Sequence, residues 1–193
     1  MRMTKAMNAL LLELDATPLV KLPSELRRIA NSPFIRMYDC VLLDAMLPSQ
    51  WRHEHGEKSK FTDLPTPLRL YNTNRTLLER FISKIAIEEN IGKRQLERNL
   101  SRDLVHLQYS WAFLNEIFKS FRSQFKDNVL RGLIGMNNGC EPDHIYSCHV
   151  YYHVKREHEY WAPDDFIEWD VPFLEIDSDE PPLLSREVPD QCV

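Results

Sequence analysis

The densest set of potential ligands in the chain lies between residues 140 and 158. Cys140, His144, Cys148 and His153 follow one another with three, three and four residues between them, and four such donors are what tetrahedral zinc takes. The set lacks the close Cys-x2-Cys pair of common zinc fingers, and alternation along a strand would turn some of these side chains apart. Polar positions on a half-exposed strand are the plainer reading, under which no cofactor is needed. Other familiar chemistry is missing. His158-Glu159 has no second histidine at zinc-protease spacing, and there is no Walker loop, dinucleotide glycine fingerprint or Gly-x-Ser-x-Gly elbow. The expectation is a protein that is not an enzyme.

A second pattern runs from Asp164 to Glu180, where aromatic and aliphatic residues interleave with carboxylates. It resembles acidic activation-type peptides, in which the acids keep apolar side chains solvated until a basic, grooved partner accepts them. Phe166, Trp169, Phe173, Leu174, Glu175 and Ile176 are the candidate contacts, with Phe173 to Asp177 the best short stretch. The competing reading is that Phe166 to Ile176 is simply a strand of the fold.

The third pattern is Ile85-Ala86-Ile87-Glu88-Glu89-Asn90-Ile91-Gly92-Lys93-Arg94-Gln95-Leu96-Glu97-Arg98. A small residue at Ala86 would let two helices cross closely, and Asn90 tolerates the positive φ of a tight turn. This stretch resembles a helix-turn-helix, most closely the turn and recognition helix of AraC-type bacterial regulators. The resemblance implies that Lys93, Arg94 and Arg98 lie near DNA, and Arg102 extends the same basic stripe. Without DNA, the stretch reads as a corner between two core helices with a solvated basic face.

The elements that must position these residues are expected to be helical. Residues 3–14 and 24–30 read as short amphipathic helices, and Ser32-Pro33 as the start of a third that runs through Ile35, Cys40 and Leu42 to Met46. Pro48 to Asn74 reads as a long loop. Asn74 or Thr73 caps a helix with Leu77, Leu78, Phe81, Ile82, Ile85 and Ala86 on one face. The strongest signal follows: Leu96, Leu100, Leu104, Leu107, Trp111, Leu114, Phe118, Phe121 and Phe125 are spaced by fours and threes, the period of a long helix. Val105, Tyr109, Ala112 and Phe113 make its middle apolar on nearly every side, as in a buried central helix. The alternative is a seam between copies, making a homo-oligomer.

After that helix, Asp127 reads as the start of one more, ended by Asn137-Asn138-Gly139. Tyr146 to Val154 and Ile167 to Val171 alternate as two strands of a hairpin. The expected fold is mainly α, a helical bundle around a central helix at about 92–126. It divides into a helical domain (1–139), a strand-rich extension packed on it (140–176) and an acidic, disordered tail (177–193).

Charge divides as unevenly as structure. The net charge of −5 combines 24 basic with 29 acidic residues. Twelve of the acids and only one of the bases, Arg186, lie beyond residue 156. A basic body with an acidic tail suits nucleic acid, self-docking or a partner protein that reads the tail. Five glycines are few and four cysteines scattered, which disfavours phosphate loops and disulfide scaffolds. Glu13 and Asp15 interrupt the early apolar run, so neither a signal peptide nor a membrane span is expected. These readings point to an intracellular regulatory or adaptor protein that contacts another protein, with nucleic-acid binding as the alternative.

Overall fold

A computed structural model describes residues 1–14, 20–37, 39–47, 74–91, 101–137, 147–159 and 164–180. Its centre is a five-stranded antiparallel sheet, not a helical bundle. In chain order the elements are β1 (Arg2–Met3), α1 (Lys5–Leu14), α2 (Ser24–Ala30), β2 (Phe34–Met37), β3 (Cys40–Leu43) and a 3-10 turn at Asp44–Met46. They continue with α3 (Arg75–Ile82), β4 (Ile85–Ala86), α4 (Ile87–Asn90), α5 (Arg102–Gln124), β5 (Leu130–Asn137), β6 (Ser147–Val154), a 3-10 turn at Asp164–Glu168 and β7 (Phe173–Asp177). The sheet order is β1-β7-β5-β6-β4, and β2 and β3 form a separate hairpin.

The stripe on α5 is real, but its neighbours are not those of a bundle. Leu104, Leu107, Trp111, Leu114, Phe118 and Phe121 are all buried, and so are Val105, Tyr109, Phe113 and Ile117. One side of α5 meets β5 and β6, and α1 and α2 lie against it elsewhere. A helix between a sheet and two other helices must be apolar nearly all round. The described helix begins at Arg102, where the Ser101 side chain accepts from the Leu104 amide at 3.3 Å. Leu96 and Leu100 lie outside the described residues.

On the sheet, the face toward α5 is set by alternation. Leu130, Ile134 and Met136 of β5, Cys148, Val150, Tyr152 and Val154 of β6, and Leu174 and Ile176 of β7 share one core with α5. Gly132 lets α5 pack tightly on the sheet, since a Cβ there would sit 2.5 Å from Leu114 Cδ1.

Three expected helices are corrected. Phe34 to Leu43 is a hairpin, with Phe34 opposite Leu43 and Met37 opposite Cys40. Its turn uses a positive φ at Asp39. Leu130 to Asn137 is the central strand rather than a helix. The helix capped by Asn74 ends at Ile82, and Ile85-Ala86 pairs with β6 instead of continuing it. Short apolar runs fit strand and helix equally by periodicity, and here partners across the sheet decide.

The C-terminal strands also differ. β6 lies where expected, but it pairs with β5 and β4, not with residues 167–171. Ile167 and Glu168 end a 3-10 turn instead, and the strand begins only at Phe173. β7 lies inside the sheet between β5 and the N-terminal β1. The sheet therefore draws strands from both sides of residue 139. Among the described residues, no helix is long and apolar enough to cross a membrane.

Candidate functional site

The sheet face turned away from α5 carries most of the sheet's polar side chains, arranged in cross-strand rows. His153 and Asp177 both lie opposite Arg131. In the next row Tyr151 and Glu175 flank Leu133, and Arg2 pairs with Glu175. Further along, His149 and Phe173 flank Gly135.

Arg131 organises the first row. Its Nε and Nη2 donate to the two oxygens of Asp177 at 2.6 and 2.9 Å, and Nη1 lies 3.2 Å from Glu175. Lys155 donates to Asp177 at 2.7 Å. Burial alone would raise the Asp177 carboxyl, but Arg131 and Lys155 hold it below its ordinary value. His153 stands beside this cluster, 2% exposed. Its Nδ1 lies 3.0 Å from the Val154 carbonyl, and its Nε2 has no hydrogen-bond partner among the described residues.

Burial lowers the His153 imidazole from 6.5 to about 4, helped by Arg131 and Arg156 and opposed by the Val154 carbonyl and Asp177. The unfolded chain therefore binds a proton between those values that the folded chain does not. Stability is highest above pH 6.5 and falls as pH drops toward 4. The His153 share of that loss is roughly 2–3 kcal/mol. Urea unfolding of wild type and His153→Gln at about pH 7 and pH 4.5 checks this. The wild type should lose more stability on acidification, and equal losses would mean the ring is not held neutral.

A second polar cluster closes the outer edge of β6. Helix α3 turns Thr76, Glu79 and its C-cap residue Ser83 inward, all fully buried, while Phe81 is exposed rather than on the packed face. The Ser83 hydroxyl accepts from the Tyr152 amide at 3.0 Å and donates to its carbonyl at 2.8 Å. Glu79 accepts from the Val154 amide at 2.8 Å, and Glu88 from the Cys148 amide at 3.0 Å. With β4 between them, these side chains cover the edge of a strand that would otherwise present unpaired amides.

Glu79 also accepts from the Val41 amide at 2.7 Å and receives both Nη atoms of Arg156, at 2.6 and 2.8 Å. Burial pushes its carboxyl up, partly offset by the guanidinium and the two amides. Burial would lower the Arg156 guanidinium, but Glu79 holds it above its ordinary value. Glu159 extends the cluster, accepting Arg75 through Nε at 2.8 Å and Nη2 at 2.6 Å, and the Thr76 amide and hydroxyl at 3.2 Å each. This cluster holds α3 and the β2–β3 hairpin to the sheet. Sequence reasoning missed it, because Glu79 sits on a short helix where a solvated carboxylate is the ordinary expectation.

The acidic-aromatic segment divides in two. Phe166, Phe173, Leu174, Glu175 and Ile176 are buried, and four of them form part of β7. Phe166 stacks edge-on against Phe173 at 5.0 Å, with Trp169 5.5 Å from Phe173 and the Arg2 guanidinium 4.8 Å from the Phe166 ring. The expected short contact stretch at 173–177 is thus a strand of the fold. Ile167, Trp169 and Val171 remain 47%, 38% and 40% exposed. Asp165, Glu168 and Asp170 are exposed among them. Val171 also borders a groove of about 200 Å³ lined by Arg80, His149, Tyr151 and Phe173.

The other expected sites separate. Cys140 and His144 lie outside the described residues. Cys148 faces α5, where its Sγ is 3.2 Å from the Ser110 hydroxyl. His153 faces the opposite side of the same strand, so these two cannot share an ion. Among the described residues no group of three potential ligands is close enough to hold a metal. In the basic stripe, Lys93, Arg94 and Arg98 lie outside the described residues, and Arg102 is in the first turn of α5 near Asp103. The helix-turn-helix corner is not formed over 85–91. Ala86 is in a strand, and Asn90 has no positive φ and donates its side-chain amide to the Ala86 carbonyl at 2.8 Å.

Comparison with known proteins adds a family. The chain belongs to the Uncharacterized protein PM0498 family, whose model matches residues 2–189. No curated protein and no solved structure matches it.

Proposed function

We propose that this protein is a non-enzymatic regulatory or adaptor module that binds a basic, apolar segment of another protein through Ile167, Trp169 and Val171. The observation that carries this reading is the division within one short segment. Phe166 and Phe173 anchor it to the sheet, yet three large apolar side chains between them remain more than a third exposed. Exposed apolar residues scattered singly need no explanation, but a cluster with a polar rim is a common mark of a contact surface. Removing the remaining exposed area of each would contribute roughly 1 kcal/mol, and a tryptophan is a frequent anchor of such contacts. Asp165, Glu168 and Asp170 select against acidic partners and speed encounter with basic ones. The setting we propose is intracellular, in keeping with the free, buried thiols of Cys40 and Cys148.

The test uses two peptide sets of equal hydropathy, one with lysine and arginine among leucines and valines, the other with aspartate and glutamate. Each is titrated into the full chain while Trp169 emission is followed against a Trp169→Phe control. Basic peptides should bind, more weakly at high salt, and Trp169→Ala should weaken them about thirtyfold, the equivalent of roughly 2 kcal/mol. Asp165→Asn with Glu168→Gln and Asp170→Asn should remove the preference for basic peptides. Equal binding of both sets, or of neither, would overturn the reading.

A further inference from the structure

At the far end of the same sheet face, His153 lines a cleft of about 400 Å³ together with Asp127, Asn128, Arg131, Lys155 and Glu157. The volume is within the usual range for small-molecule sites. We propose that this cleft binds a small, uncharged polyhydroxyl ligand, a sugar or polyol, one hydroxyl of which donates to His153 Nε2. The inference is independent of the Trp169 surface, since Arg131 and His153 stand two cross-strand rows from Gly135 and Phe173.

The argument begins at Nε2. It is buried and without a partner among the described residues, and leaving a buried polar atom unmatched costs roughly 1–3 kcal/mol. With Nδ1–H donated to the Val154 carbonyl, Nε2 presents a lone pair and can only accept. The missing partner is therefore a donor.

Charge narrows the class. An anion finds no free fork at the base of the cleft, because Arg131 is taken by Asp177 and Glu175, and Arg156 by Glu79. A cation would enter among Arg131, Arg156 and Lys155, which line the same space. Those three bases are balanced by Asp127, Glu157 and Glu159, which suits a ligand without net charge. Carboxylate acceptors at Asp127 and Glu157 stand beside donors at Lys155 and Asn128. A hydroxyl group both donates and accepts, so it can satisfy either kind of neighbour.

The ring nitrogens of His153 report on the site directly in a long-range proton–nitrogen spectrum of the full chain. Glucose, ribose, inositol and glycerol are titrated at neutral pH, with inorganic phosphate and putrescine as charged probes. At least one polyol should shift Nε2 saturably while phosphate and putrescine do not. In ligand-observed saturation transfer, His153→Leu should weaken that polyol about tenfold, the equivalent of one hydrogen bond. If that variant does not fold, Asn128→Ala and Glu157→Gln at the rim should weaken binding with the fold intact. A cleft that holds only water gives no saturable shift with any polyol, which overturns the proposal, as does a saturable shift with phosphate or putrescine alone.

Discussion

Glu79→Ala is expected to destabilise the protein by roughly 3–5 kcal/mol, a large share of a domain's total stability. The Val41 and Val154 amides lose their acceptor, and the Arg156 guanidinium loses its two shortest contacts. The guanidinium is the costliest, since its side chain is only 13% exposed and a buried charge that loses its main counter-charge is worse than no charge. It would keep only the Val154 and Asp39 carbonyls at 3.3 and 3.4 Å and Glu159 at 3.8 Å. The double variant Glu79→Leu with Arg156→Met removes both charges and should recover part of the loss. It cannot recover all of it, because the two amides remain unmatched in any variant without an acceptor at position 79. Denaturant unfolding of the three variants and the wild type checks this. A Glu79→Ala chain within about 1 kcal/mol of wild type would mean that the cluster is not what holds α3 to the sheet.

Trp111→Ala should cost about 3–5 kcal/mol for a different reason. Trp111 is 1% exposed at the middle of α5. Its indole nitrogen has no hydrogen-bond partner among the described residues, so truncation breaks no polar contact there. The loss consists of apolar surface no longer buried and the cavity left behind. Trp111→Phe keeps much of the volume and should cost less than Trp111→Ala, by an amount set by how far neighbouring side chains close in. Unchanged thermal melting of Trp111→Ala would show that α5 is not the centre of the core.

How these two residues differ in legibility explains much of the rest. Trp111 belongs to a stripe of fours and threes, and such a pattern declares a buried helical face whatever lies against it. Glu79 has no such pattern around it. Thr76 and Glu79 on α3 and Ser83 at its C-cap form a polar stripe, and on an isolated helix that stripe would face water. It faces inward because β6 and the β2–β3 hairpin bring unmatched amides to it. The direction of α3 is set by hydrogen bonds that close only between segments far apart in the chain.

The same distinction divides the candidate sites. The acidic-aromatic character of 164–177 was plain, as was the possibility that part of it is a strand. The boundary between the buried part and the exposed part was not. Phe166 and Phe173 are drawn in by Leu133 and by each other, whereas Ile167 and Trp169 project from a 3-10 turn and its end. Cys148 and His153 looked like members of one ligand set, and alternation along a strand was reason to suspect otherwise. Which face is buried depends on where α5 lies, so the vacant Nε2 of His153 could be found only in three dimensions.

What the amino-acid sequence determined by itself is local. It set α1, α2, the Asn74 cap, the buried stripe of α5 and the strand at 147–154, because periodicity, capping chemistry and alternation act within a few residues. Tertiary structure decided the rest. Phe34 to Leu43 and Leu130 to Asn137 are short apolar runs that either helix or strand accommodates, and they became strands because each found a partner to complete its backbone hydrogen bonds. Residues from both ends of the chain, Arg2 and Glu175 among them, meet only once the sheet is assembled. The expected bundle failed for that reason: a helix apolar on every side shows that it is covered, but not whether helices or a sheet cover it.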